Sequence, residues 1–161
     1  MKKLIIIAAA MLLSFAASAQ DGKSIYNKYS DSKDVSAVYI SPAMFRLMGK
    51  LPDMDFGGED VNISGIVKSL KGFYLIDSEN PAINIRLSDE ADKLVKNGKY
   101  EMLMEVKDDG EHVNIYTLGN DKVIDSFIFI AKDSDECTFI SLDGQIPREE
   151  LEKLIASAIS D

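Results

Sequence analysis

Between Tyr100 and Leu142 the chain carries four strand-like segments in succession, Tyr100–Lys107, His112–Leu118, Val123–Ala131 and Glu136–Leu142. They are separated by Asp108-Asp109-Gly110-Glu111, Gly119-Asn120-Asp121 and Asp133-Ser134-Asp135, all turn compositions. A parallel pair needs a crossover of a dozen or more residues, so such short connections force neighbouring strands to fold back as antiparallel hairpins. Phe127-Ile128-Phe129-Ile130 is apolar at every position, which suits a central strand covered on both faces. Val113, Ile115 and Thr117 instead alternate with polar neighbours, as in a half-exposed strand.

Mixed elements precede this β-rich stretch. Ile25, Tyr26 and Tyr29 fall at helical spacing within Lys23–Ser32, which predicts a short amphipathic helix. Val35–Ile40 is β-branched and aromatic and reads as a strand; Ser41-Pro42 then starts a helix through Ala43, Met44, Leu47 and Met48, ending near Gly49. Pro52–Asp60 is polar and glycine-rich and reads as a loop. Val61, Ile63, Ile66, Val67 and Leu70 predict a further helix stopped by Gly72, with a strand over Phe73–Asp77. Ile83–Leu87 reads as a short extended piece, with Ser88 capping a helix that holds Ala91, Leu94 and Val95 inward and ends at Gly98. Pro147 opens an amphipathic C-terminal helix, with Glu149 and Glu150 at its start and Leu151, Leu154, Ile155, Ala158 and Ile159 on one face. These elements predict an α+β fold: an antiparallel sheet of about five to six strands with helices packed mainly on one face.

The first residues read as an address. Lys2 and Lys3 precede the apolar run Leu4–Leu13, and Ala17-Ser18-Ala19 has the small-residue form that signal peptidase accepts. Residues 1–19 are therefore expected to be a signal peptide cleaved near Ala19, and 20–161 a single domain in the periplasm, secreted or at the cell surface. The apolar run falls short of the roughly 20 residues that cross a bilayer, and Gln20 stands where a lipoprotein needs Cys, so neither a transmembrane nor a lipid anchor is expected. Residues 1–19 hold two lysines and no acids, so their removal leaves 142 residues and takes the net charge from −9 to −11. An acidic chain with no Lys/Arg cluster is a poor nucleic-acid binder, because phosphate binding relies on clustered cations. Cys137, the sole cysteine, has no internal disulfide partner and reads as a small buried residue of the core.

Residues that could carry chemistry are few. Asp53, Asp55, Glu59 and Asp60 with Gly57 and Gly58 resemble a calcium loop superficially, because hard cations want several carboxylate oxygens on a tight turn. An EF-hand would place an oxygen ligand where Gly57 falls and Glu where Ser64 falls, so Asp53, Asp55 and Asp60 are weak metal candidates and a solvated acidic loop is the simpler reading. His112, the only imidazole, stands near Asp109 and Glu111 beside a hairpin turn, where a carboxylate-oriented general base is conceivable. No G-x-S-x-G elbow supplies a nucleophile, one His and one Cys cannot build a usual zinc site, and no phosphate-cradling glycine motif occurs. No catalytic residue and no cofactor is therefore assigned. Glu101, Glu105 and Lys107 read as a solvated sheet face.

Tyr100–Tyr116 (YEMLMEVKDDGEHVNIY) and Cys137–Ile146 (CTFISLDGQI) resemble the domain of unknown function 4252 (DUF4252) family of small exported proteins of the Bacteroidetes. Val38-Tyr39-Ile40-Ser41, Met44-Phe45 and Val61–Val67 are similar to the amino-terminal half of that family, so the likeness spans nearly the whole mature chain. The resemblance implies an envelope address and brings no established catalytic residue; some relatives look like lipoproteins, from which Gln20 departs. The expected function is a non-enzymatic binding or accessory module holding an unknown envelope protein through an exposed sheet face, a sheet edge or the Pro52–Asp60 loop. The alternatives are an envelope enzyme or metal-dependent protein using the Asp53–Asp60 loop or His112, and a regulatory or structural protein acting by occupancy. Oligomeric state is left open.

Overall fold

The computed structural model describes residues 21–48 and 63–160. In chain order the elements are α1 (Gly22–Tyr29), β1 (Val35–Ile40), α2 (Pro42–Met48), α3 (Ile63–Ser69), β2 (Leu70–Ser78), α4 (Pro81–Asn97), β3 (Glu101–Asp108), β4 (Glu111–Gly119), β5 (Val123–Lys132), β6 (Cys137–Pro147) and α5 (Arg148–Ser160). The strands form one six-stranded sheet in the order β1-β2-β6-β5-β4-β3, antiparallel throughout. This is the expected α+β architecture, and β3, β4, β5 and β6 are joined by the expected short turns. The tightest is Asp109-Gly110, a two-residue hairpin loop in which both residues have positive φ, the combination that matches strand twist and favours glycine at the second place.

Register places the residues of each face in rows across the sheet. On one face Tyr39, Tyr74, Ser141, Ile128, Tyr116 and Met102 form one row, and Ala37, Ile76, Phe139, Ile130, Asn114 and Glu105 the next. Helices α1 and α4 cover the middle of these rows: Ile25 and Tyr29 from α1, with Ile83, Leu87, Ala91, Leu94 and Val95 from α4, share a core with Ile76, Phe139, Ile128, Ile130 and Tyr116. Helix α1 lies so close to β6 that a Cβ on Gly22 would stand 2.0 Å from Ser141 Oγ. A second cluster gathers Phe45 of α2, Ile66 of α3 and Leu151 of α5 around Leu70, Ile124 and Ile146, with Phe73, Phe127 and Leu142 against it.

Three sequence expectations are corrected. Ile83–Leu87 is not extended and Ser88 is not a cap: both lie inside α4. Asn80 is the cap, its Oδ1 accepting from the Ala82 and Ile83 amides at 3.1 and 3.3 Å, and Pro81 takes the first helical position. The alternation of Ile83, Ile85 and Leu87 mimics a strand, but Ile83, Leu87 and Ala91 are also four apart. The helical face prevails because it meets the sheet, leaving Ile85 67% exposed. Likewise the helix before β2 ends at Ser69 and the strand begins at Leu70, so Gly72 is not a helix stop. It sits inside β2, at the irregular step of its pairing with β6. Pro147 closes β6 and the last helix starts one residue later, at Arg148. Residues 1–20 and the Pro52–Asp60 loop, with Asp53, Asp55 and Asp60, lie outside the described residues.

Candidate functional site

β1 and α2 expose Val38, Tyr39, Met44 and Leu47, and three further regions hold polar groups or exposed apolar surface from which a site could be built. The first is a chain of hydroxyls ending on a carboxylate. Tyr100 Oη donates to Ser126 Oγ at 3.1 Å, Ser126 Oγ donates to Asp143 Oδ1 at 3.1 Å, and Ser141 Oγ donates to the same oxygen at 3.3 Å. The cause is register: Asp143 stands two residues along β6 from Ser141, on the same α1-covered face, and pairs with Ser126 just before β6 takes an extra residue against β5 between Asp143 and Ile146. Burial raises the Asp143 pKa above the ordinary carboxylate range; the two serine hydroxyls pull it down and the Asp21 charge adds to the rise. Burial and neighbouring acids likewise push Tyr74 up to about 12.

The second region lies at the opposite end of β5 and β6. A groove of about 350 Å³ runs between α4 and the β5–β6 turn, lined by Asn84, Ile85, Ser88, Lys132, Asp133 and Glu136 among others. Lys132 Nζ donates to Ser88 Oγ at 2.8 Å, so Ser88, expected to cap a helix, instead holds this lysine. Asp133 Oδ1 accepts from the Asp135 and Glu136 amides at 2.7 and 2.8 Å, which shapes the turn and lowers the Asp133 pKa. The Asp133 and Asp77 charges raise that of Glu136. A smaller hollow of about 200 Å³ next to it is lined by His112, Lys132, Asp133, Glu136 and Thr138.

The third region is the sheet edge formed by β3. All eight of its residues are exposed, including apolar Met102, Leu103, Met104 and Val106. Leu103 is the extra residue of a bulge, Met102 pairing with Tyr116 and Met104 with Ile115. Beyond the bulge the strand is regular: Met104 and Val106 share the face of Ile115 and Val113, while Glu105 and Lys107 share the face of Asn114 and His112. Lys107 Nζ lies 2.9 Å from Glu105 Oε1, so these two charges compensate each other within the strand.

Comparison with known families adds one finding. The model of the family described as domain of unknown function (DUF4252) matches residues 29–154, from the last residue of α1 into α5. The chain belongs to the DUF4252 family. No curated protein and no solved structure matches it.

In this DUF4252 chain the residues singled out in the sequence do not converge where they fall among the described residues. The cross-strand neighbours of His112 are Lys107 and Lys132, two cations rather than an orienting carboxylate. His112 also lies six residues along β4 from Leu118, the partner of Ser126, a separation of about 20 Å at strand rise. The serines on Asp143 therefore have no imidazole base. Cys137 is 1% exposed and burial pushes its thiol up to about 11, so it stays protonated and packs as a small apolar residue. Among the described residues no group of three or more His, Cys, Asp and Glu side chains could hold a metal ion. The Asp143 network is not legible in the sequence because Ser126 and Tyr100 lie 17 and 43 residues from Asp143 along the chain, and only the pairing of β5 with β6 brings Ser126 to it. Only the polar Ser126, Ser141 and Asp143 inside apolar strands signalled it.

Proposed function

We propose that this chain is an exported binding module that works through protein–protein contact at the β3 edge. The single observation that carries this reading is that all eight residues of β3 are exposed, with apolar Met102, Leu103, Met104 and Val106 each 42–49% exposed beside unpaired edge backbone. Natural sheets usually shorten, charge or cover their edges, and an edge that keeps four large apolar side chains in solvent suits an added partner. Export is supported by the Lys2-Lys3, Leu4–Leu13 and Ala17-Ser18-Ala19 pattern. Among the described residues no helix is long and apolar enough to cross a membrane.

A photo-crosslinking residue placed at Leu103, compared with one at Ile85 of α4, tests the reading in the producing cell. Both positions are exposed and apolar. Protein adducts specific to position 103 are expected; adducts at neither position, or equally at both, would remove the edge as the site of action. Mass determination of the envelope protein tests export, with a chain starting at Gln20 expected and a full-length cytosolic chain counting against it.

A further inference from the structure

We propose that the occupant of the β3 edge is a second copy of this chain, the two β3 strands pairing antiparallel so that two six-stranded sheets continue as one. The proposal rests on the reading of β3 as a contact edge and adds the identity of the partner.

A two-fold axis perpendicular to the sheet maps each residue onto the same face of the copy, so the strands can meet only with a residue opposite itself at the centre. The bulge at Leu103 confines regular pairing to Met104–Asp108. Centring on Glu105 would set carboxylate against carboxylate. Centring on Met104 would run each strand into the bulge of the other. Centring on Val106 sets Val106 against its copy on the face of Val113, and sets each Glu105 opposite the Lys107 of the other chain on the face of His112. Met104 and Asp108 then lie opposite each other at the two ends.

The pattern is complementary to itself in one register, which argues for a like partner over an arbitrary peptide. Glu105 and Lys107 sit at i and i+2 on one face with opposite charges, and only an antiparallel copy presents them in the reverse order. The ion pair they already form within the strand shows that the two side chains reach along the edge, and both remain exposed enough to be shared across an interface. A lysine and a bulge are the usual guards of an edge strand. Here the bulge selects the register and the lysine is compensated in it. The chain is acidic, with net charge −9, but at physiological salt charges are screened beyond about 8 Å, so the contacting pairs decide.

Sedimentation of the purified exported protein across the micromolar range, in physiological salt, tests this with three variants: Glu105→Lys, Lys107→Glu and the double exchange. Wild type is expected to dimerise. Each single variant places like charges opposite each other twice and is expected to weaken dimerisation about tenfold or more. Mixing the two single variants, or exchanging both charges in one chain, restores it. Both residues are exposed, so circular dichroism should show all variants folded. A wild type that stays monomeric, or single variants that dimerise as wild type does, overturns the self-pairing. If the protein is monomeric while position 103 still crosslinks to a different protein, self-pairing fails and the contact edge stands. If position 103 gives no adduct either, both fail.

Discussion

Strands β6 and β3 draw on similar amounts of apolar sequence, CTFISLDGQIP and EMLMEVKD, yet one is the centre of the molecule and the other its most exposed strand. Phe139 of β6 is fully buried, with β2 on one side, β5 on the other and α4 above. Met104 of β3 is 42% exposed, with β4 alone beside it. The core of α4 reaches only as far as Tyr116 of β4. Burial is thus conferred by neighbours rather than by the apolar character of the residue, and the sheet order decides who has neighbours. An apolar strand left at the edge becomes a surface feature with a use or a hazard.

The comparison can be broken most decisively at its buried end. Phe139→Ala should cost about 3–5 kcal/mol in urea unfolding, since a large side chain is removed from a site packed on every side. A loss below about 1 kcal/mol would mean that the strand is not the centre of the core. Asn80→Ala should cost about 1 kcal/mol by leaving the first α4 amides without their cap, and Asn80→Asp should recover most of it.

Asp143 sharpens the contrast between covered and open faces through pH. Because its folded pKa is raised, the folded state holds the proton more tightly than the unfolded chain does. The stability it contributes is present below the ordinary carboxylate value of 3.8 and is lost as pH rises through the raised folded value. At neutral pH the desolvation of this carboxyl is therefore a cost to the folded state. Asp143→Asn should raise the Tm at pH 7 by a few degrees and have a much smaller effect at pH 3, as read by calorimetry. An equal shift at both pH values would place the effect elsewhere than in ionisation. The smallest effect on stability belongs to the edge: Leu103→Ser and Met104→Ser should each fall within about 0.5 kcal/mol of wild type in the unfolding of the monomer at high dilution. A large loss there would show that β3 is packed.

How much of this was legible depends on whether the deciding interactions are local. Val35–Ile40 is legible to its exact bounds because a β-branched, aromatic run ends at Ser41-Pro42, where Ser41 Oγ accepts the Met44 amide at 3.3 Å. The hairpins were legible because Asp109-Gly110, Asn120 and Asp133 close their turns with their own backbone or side chains. The start of α4 was misread because five residues fit a strand and a helix equally well, and only the sheet beneath chose between them. Gly72 was misread because a glycine that stops a helix and one that relaxes a strand look alike in sequence. The Asp143 network needed pairing across β5 and β6, which no local pattern encodes.

The sequence by itself determined the antiparallel sheet, most of the helices, the burial of Cys137 and the family, because turn chemistry, caps and side-chain periodicity act within a few residues. Tertiary structure alone decided that β6 lies between β2 and β5, that His112 faces lysines, that Asp143 gathers its hydroxyls and that β3 is left at the edge. Those outcomes depend on which strands become neighbours. Strand order is settled by the packing of distant apolar faces and by bulges that shift a register by one residue, and each such shift changes the face on which a side chain stands.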